Sequence, residues 1–171
     1  MTGSTYTLAT IQRVVELVNL FTDNDAVTRA EVCEILVRYG IDESAVVVED
    51  FAALAKRLRP VFNDQPRDQR ALRLNELLEQ FQPAPRIVEH DGEPLHFHYV
   101  PALGPPLEHV GASCAMALSI AFVDGHDDRL GVCAAPDCDR VFFDHSRNRN
   151  QRFCRKSCAT RVHVAAHRAR R

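Results

Sequence analysis

The chain has 171 residues, 46% of them hydrophobic and 26% charged, with 7 Gly and 9 Pro, a composition that excludes a disordered, collagen-like or membrane-embedded protein. The formal charge of −2 hides a division: residues 1–132 carry 11 Lys+Arg against 20 Asp+Glu, a net of −9, whereas residues 133–171 carry 10 against 3, a net of +7. An acidic body with a basic tail points to a polyanionic partner for the tail. The apolar stretches are broken by charge before the ~20 residues that span a bilayer. Residues 1–21 lack a basic start and are interrupted by Arg13 and Glu16, so no signal peptide is read there. A cytoplasmic protein with no membrane partner is expected, and in that reducing setting the 6 Cys are not expected to form disulfides.

In chain order, Leu8, Ile11, Val14, Val15, Val18 and Phe21 fall three and four apart and predict a helix over 7–21. Thr28-Arg29-Ala30-Glu31 is a capping box that opens a second helix, ended by Gly40. A third follows Ser44 and stops before Pro60; a fourth runs from Pro66 to Phe81. Short apolar runs on either side of His90-Asp91-Gly92-Glu93 predict a β-hairpin. Residues 101–106 form a rigid connector, and 107–123 a nearly all-apolar core helix, followed by a loop into Leu130-Gly131-Val132. A helix-turn-helix across Gly40 is disfavoured, because the second helix would bring Glu49 and Asp50 to phosphates.

The strongest signal lies after residue 132. Cys133 and Cys138 form one close pair, Cys154 and Cys158 a second, with fifteen residues between them. This is zinc spacing: thiolate is a soft, charged donor, and each short loop lets two sulfurs reach one tetrahedral ion. Four cysteines complete the coordination shell, so one structural Zn²⁺ is expected rather than a catalytic ion with an open position. Residues 140–143 are read as a strand, 147–150 as a turn and 151–153 as a second strand, and Cys158 as lying at the start of a terminal helix, where the helix dipole favours thiolate. On that helix Cys158, Ala159, Val162, Ala165, Ala166 and Ala169 share a side expected to pack on the hairpin. Arg161, Arg168, Arg170 and Arg171 face outward, and with Arg147, Arg149, Arg152, Arg155 and Lys156 they make a basic surface suited to phosphates. Asn148, Asn150 and Gln151 have amides that suit adenine.

This segment resembles the CGNR zinc finger of bacterial transcription regulators. The shared residues are Cys133-x4-Cys138, Phe143-Asp144-His145-Ser146-Arg147-Asn148, Cys158-Ala159-Thr160-Arg161 and the basic, Ala-rich tail. The chain departs from the family where Ala159-Thr160 replaces Gly-Asn and where the second cysteine pair is spaced by three residues. More weakly, Leu17-Val18-Asn19, Leu58-Arg59 and Leu74-Asn75 are similar to motifs of the ABATE domain that precedes the finger in that family. The resemblance implies a ligand-sensing domain fused to a DNA-binding finger.

The expected fold is α+β: a mainly helical domain with a small β-hairpin over 1–129, and a treble-clef-like four-cysteine zinc finger over 130–171. DNA is the expected partner of the finger; an unknown small-molecule effector, bound near Asn19, Arg59 and Arg86, and a homo-oligomer are further candidates. The alternatives are an RNA- or protein-binding zinc module, and an enzyme or small-molecule-binding protein acting through residues 1–132. No nucleophile–base constellation supports catalysis, so a non-enzyme is expected. Asp144-His145 is too cramped for a His-metal nuclease, His96 and His98 read as an ordinary strand face, and Cys33 and Cys114 as buried thiols.

Overall fold

The computed structural model describes residues 5–37, 45–89, 95–99 and 104–170, with the backbone alone at 5, 6 and 96. Helix α1 spans Thr5–Asp23 and buries Ile11, Val14, Val15 and Val18 of the predicted face, together with Leu17, while Leu8 is exposed and Phe21 half-buried. Helix α2, Arg29–Val37, opens on the capping box. Thr28 N–H and Oγ1 donate to Glu31 Oε2 at 2.8 and 2.7 Å, and Glu31 N–H donates back to Thr28 Oγ1 at 3.3 Å. These bonds hold the Glu31 carboxyl below its ordinary range. Gly40 and Ser44, read as the end of this helix and the start of the next, lie outside the described residues.

Helix α3, Val48–Leu58, continues into a 3₁₀ turn, Arg59–Phe62, where Pro60 has no N–H to extend the ladder. Helix α4, Arg67–Phe81, ends on Gln82 in the left-handed region at φ 41°, with Gln82 N–H bonded to Leu78 O at 2.9 Å. Strands β1, Arg86–Val88, and β2, His96–His98, pair antiparallel with Ile87 opposite Phe97. Their turn, Asp91-Gly92 included, and most of the connector after residue 99 lie outside the described residues.

Helix α5, Pro106–Val123, is the centre of the body. Among the described residues it is the one helix long and apolar enough to cross a membrane, and 56% of it is buried inside the protein. It packs on α4, α1 and α3, and Gly111 lets the Phe81 ring close on it, since a Cβ there would lie 2.3 Å from that ring. Cys114 is fully buried, which pushes its thiol up to about 12 against the opposing charge of Arg13. With Cys33 it is an interior thiol, as the helix faces predict.

Two strands join this helical core. β3, Leu130–Val132, and β4, Val141–Phe143, pair antiparallel, Leu130 opposite Phe143 and Val132 opposite Val141. Leu130, Val141 and Phe143 belong to the same buried cluster as α1, α3, α4 and α5, so the hydrophobic core runs across residue 130. The pairing corrects the sequence reading. The partner of β4 is the segment before the first cysteine pair, whereas 151–153 is not a strand and contributes one backbone bond, Ala134 N–H to Arg152 O at 2.8 Å. Val141, Phe142 and Phe143 are all buried, and only a partner rooted in the body places them there.

The turn ahead of β3 is held by a buried arginine. Arg70 donates to Val61 O at 3.1 Å, Asn63 O at 2.8 Å, and Asp127 O and Oδ2 at 3.3 and 3.4 Å. Arg67 adds a second bond to Asp127 at 2.9 Å while lying over the Phe122 ring. Replacing Arg70 by Ala removes the deeper partner of a buried carboxylate and leaves three carbonyls to re-pair. Arg70→Ala is expected to lower unfolding free energy by about 3 kcal/mol in urea titration; a loss within the scatter of surface substitutions would contradict this role.

Candidate metal centre

The loop of the β3–β4 hairpin carries the first cysteine pair. Cys133 follows β3 directly and its N–H bonds to Arg140 O at 2.8 Å, which continues the ladder. Cys138 N–H bonds to Ala135 O at 3.1 Å, closing a tight turn through Pro136-Asp137. The second pair arrives from the other side. Cys154 lies in an irregular return segment, and its N–H points to Cys133 Sγ at 3.4 Å. Cys158 lies in the first turn of α6, Lys156–Arg168.

The four sulfurs lie within 4.8 Å of one another. Three edges measure 3.7, 3.8 and 3.8 Å: Cys138 to Cys154, Cys154 to Cys158, and Cys158 to Cys138. A tetrahedron of sulfurs about 2.3 Å from a central zinc has edges of about 3.8 Å. The match is too close for chance thiols and too long for disulfides, and all four cysteines are free. The donor set therefore fits one structural zinc ion.

Burial and the neighbouring sulfurs push Cys154 up to about 12, and burial raises Cys138. Burial acts on Cys158 too, but hydrogen bonds from Arg155 and the adjacent thiols outweigh it and bring Cys158 down to about 7. Zinc binds thiolate, so its binding to the quartet releases thiol protons and weakens as pH falls.

Residues 129–171 match the family model of the CGNR zinc finger. No curated protein matches the chain. The match covers the β3–β4 hairpin, the return segment and α6 together, so the finger includes two strands rooted in the helical body.

One acid of the finger organises its loop. Asp144 is buried, accepts from Ser146 N–H at 2.6 Å and from Gln151 N–H at 2.8 Å, and receives its own backbone support from Arg129, which donates to Asp144 O at 2.7 Å and Ser146 O at 2.9 Å. Burial opposes its charge, but the Ser146 and Gln151 bonds and the Arg129 charge outweigh burial and hold its carboxyl below the usual 3.8. His145 is exposed and lies edge-on to Phe143 at 5.2 Å. Nothing in the charge pattern marks Asp144 as an organiser; the Asp-x-Ser spacing, a known turn-former, was the available signal.

The basic residues divide. Arg152, Arg155 and Lys156 line an open groove of about 490 Å³ with Asn150, Gln151 and Phe153. Arg147 and Asn148 are exposed on the preceding turn. Arg149, at φ 49°, turns back to the body and pairs with Asp128 at 2.9 Å. Arg161 sits 3.9 Å from Asp137, with both largely exposed. Arg168 and Arg170 are exposed, and Arg171 lies outside the described residues. The packing expected of α6 is not what the structure has. Cys158 alone is buried, Ala159 and Val162 are half-buried, and Ala165, Ala166 and Ala169 are exposed, because the hairpin faces the body instead.

The three residues considered for an effector do not converge. Asn19 is buried with its amide on Val141, donating to the carbonyl at 3.0 Å and accepting from the N–H at 2.8 Å. Arg59 donates to Asp139 O at 2.9 Å, and Asp23 pairs with Arg140. Arg86 is exposed on β1, away from both. Asn19 thus holds the first residue of β4 against α1, and Arg59 holds Asp139, two residues before it, against the 3₁₀ turn.

Three outcomes are expected. Purified protein carries one zinc per chain by atomic absorption, and Cys158→Ser lowers this to background while most helical circular dichroism persists, since α1 to α5 do not touch the ion. Asn19→Ala leaves two buried backbone groups of Val141 unpaired and costs about 2 kcal/mol in urea unfolding, with zinc content unchanged. A carboxyl depressed on folding stabilises above its unfolded value and loses that effect as pH falls through its folded value. The stability gap between the wild type and Asp144→Asn is therefore full at neutral pH and narrows below the usual 3.8; a gap independent of pH would contradict the Asp144 network.

Proposed function

We propose that this chain is a bacterial, cytoplasmic transcription regulator that binds DNA through its zinc finger, with the helical body, similar to an ABATE domain, sensing a small-molecule effector. The observation that carries this reading is a stretch without a single acid. From His145 to Arg171 there is no Asp or Glu, and the described part of that stretch surrounds the zinc quartet with exposed Arg147, Arg152, Arg155, Lys156, Arg168 and Arg170. Four thiolates and one zinc ion leave the finger basic, so its field favours a polyanion. The function of the ion is to hold this surface in shape; it takes part in no reaction, and the protein is not an enzyme. The body contributes its own acids to the joint, through Asp23 to Arg140 and Asp128 to Arg149, which orients the finger's remaining cations away from it. An effector bound in the body would reach the finger through Asn19 and Arg59.

Contacts from Arg147, Arg152, Arg155, Lys156 and Arg170 to phosphates give an expected slope of about −4 to −5 for log affinity against log salt. Fluorescence anisotropy with a labelled duplex, titrated over ~50 to 200 mM salt, measures it. Chelation that strips the zinc should abolish binding. Affinity insensitive to salt, or preference for structured RNA over duplex DNA, would overturn the DNA reading.

A further inference from the structure

The outer face of α6 is unaccounted for by the zinc site and by the core. Thr160, His163, Val164, His167 and Arg168 line one shallow strip along this helix, and all five are exposed. They fall within an arc of about 140°, opposite the arc of Cys158, Ala159 and Val162 that attaches the helix to the finger. Among the described residues α6 has no extensive packing with any other helix or strand. The strip is continuous with the basic groove at the start of the helix, because the His163 ring meets the Phe153 ring edge-on at 6.1 Å.

We propose that α6 enters the major groove of B-form DNA, with Thr160, His163, Val164, His167 and Arg168 facing the base edges and Arg152, Arg155 and Lys156 holding the adjacent phosphates. The proposal rests on the DNA-binding reading and adds to it a division of labour between residues. Size selects the occupant: a helix with side chains is about 10–12 Å across, and the major groove of B-DNA is about 12 Å wide. The major groove of A-form RNA is too narrow for side chains to read. Charge agrees, since α6 contains no acid. The chemistry of the strip is that of base recognition rather than of phosphate binding alone. Arg168 presents a fork that suits guanine, the Thr160 hydroxyl both donates and accepts, Val164 offers an apolar contact for a thymine methyl, and each imidazole carries a donor and an acceptor. The three cations of the groove sit where the irregular segment meets the helix start, on the approach to the strip, and their charge serves any sequence equally.

The test uses the full zinc-loaded chain. A randomised duplex DNA pool is selected for binding, and affinities for the selected duplex and a scrambled one are measured at several salt concentrations. Thr160→Ala with His167→Ala should lower the ratio of the two affinities about tenfold and leave the salt slope unchanged. Arg152→Ala with Lys156→Ala should weaken both duplexes alike and reduce the slope by about 0.9 per residue. Zinc content of one per chain confirms that each variant is folded. Selection that yields no preferred sequence, or a ratio unmoved by the first variant while binding persists, overturns this assignment and leaves the DNA reading standing. No binding to either duplex overturns both.

Discussion

A single buried amide sets the geometry of this protein. Asn19, on the inner face of α1, takes both the N–H and the C=O of Val141. Val141 is the first residue of β4, and the hairpin that β4 completes carries Cys133 and Cys138 in its loop. The helical body and the zinc site are therefore ends of one rigid piece. The root of the hairpin contributes Leu130, Val141 and Phe143 to the main core, and its tip supplies half of the metal ligands. A buried polar side chain is tolerated in an apolar helix face because its hydrogen-bonding capacity is met by backbone groups that would themselves be orphaned.

The charge division in the sequence has a spatial counterpart at this joint. Asp23 and Asp128 of the acidic body pair with Arg140 and Arg149 of the basic tail. Arg59 crosses in the other direction to Asp139. Arg140 and Arg149 are thus partnered by body acids, whereas Arg147, Arg152, Arg155 and Lys156 stay exposed. The separation leaves the groove and the α6 strip as the basic surface of the finger, and it makes them contiguous.

Residues that look like ligand-binding candidates in a sequence can be structural for the same reason. Asn19 and Arg59 stood out as polar groups within apolar elements; Asn19 bonds the backbone of Val141 in β4, and Arg59 bonds the Asp139 carbonyl just before it. Asp144, too cramped beside His145 for a nuclease site, folds the return segment by accepting backbone N–H groups five residues apart, from Ser146 and Gln151. In both cases backbone groups left outside the strand and helix ladders need partners, and polar side chains supply them.

Much of the protein was legible before any coordinates. The four zinc ligands, the helix starts at Thr28 and near Pro66, the stop at Pro60, the β1–β2 hairpin and the helical position of Cys158 all follow from local rules: ligand spacing, capping, and the limits of proline. Such rules act within a few residues, so the chain itself states them. The β3–β4 pairing, the Asn19–Val141 joint across 122 residues and the bare outer half of α6 were decided only by tertiary structure. Their cause is competition for one core. The apolar face of β4 gains more by joining α1 and the 3₁₀ turn than by covering the small residues of α6, and no local pattern records which of two distant surfaces will claim a strand.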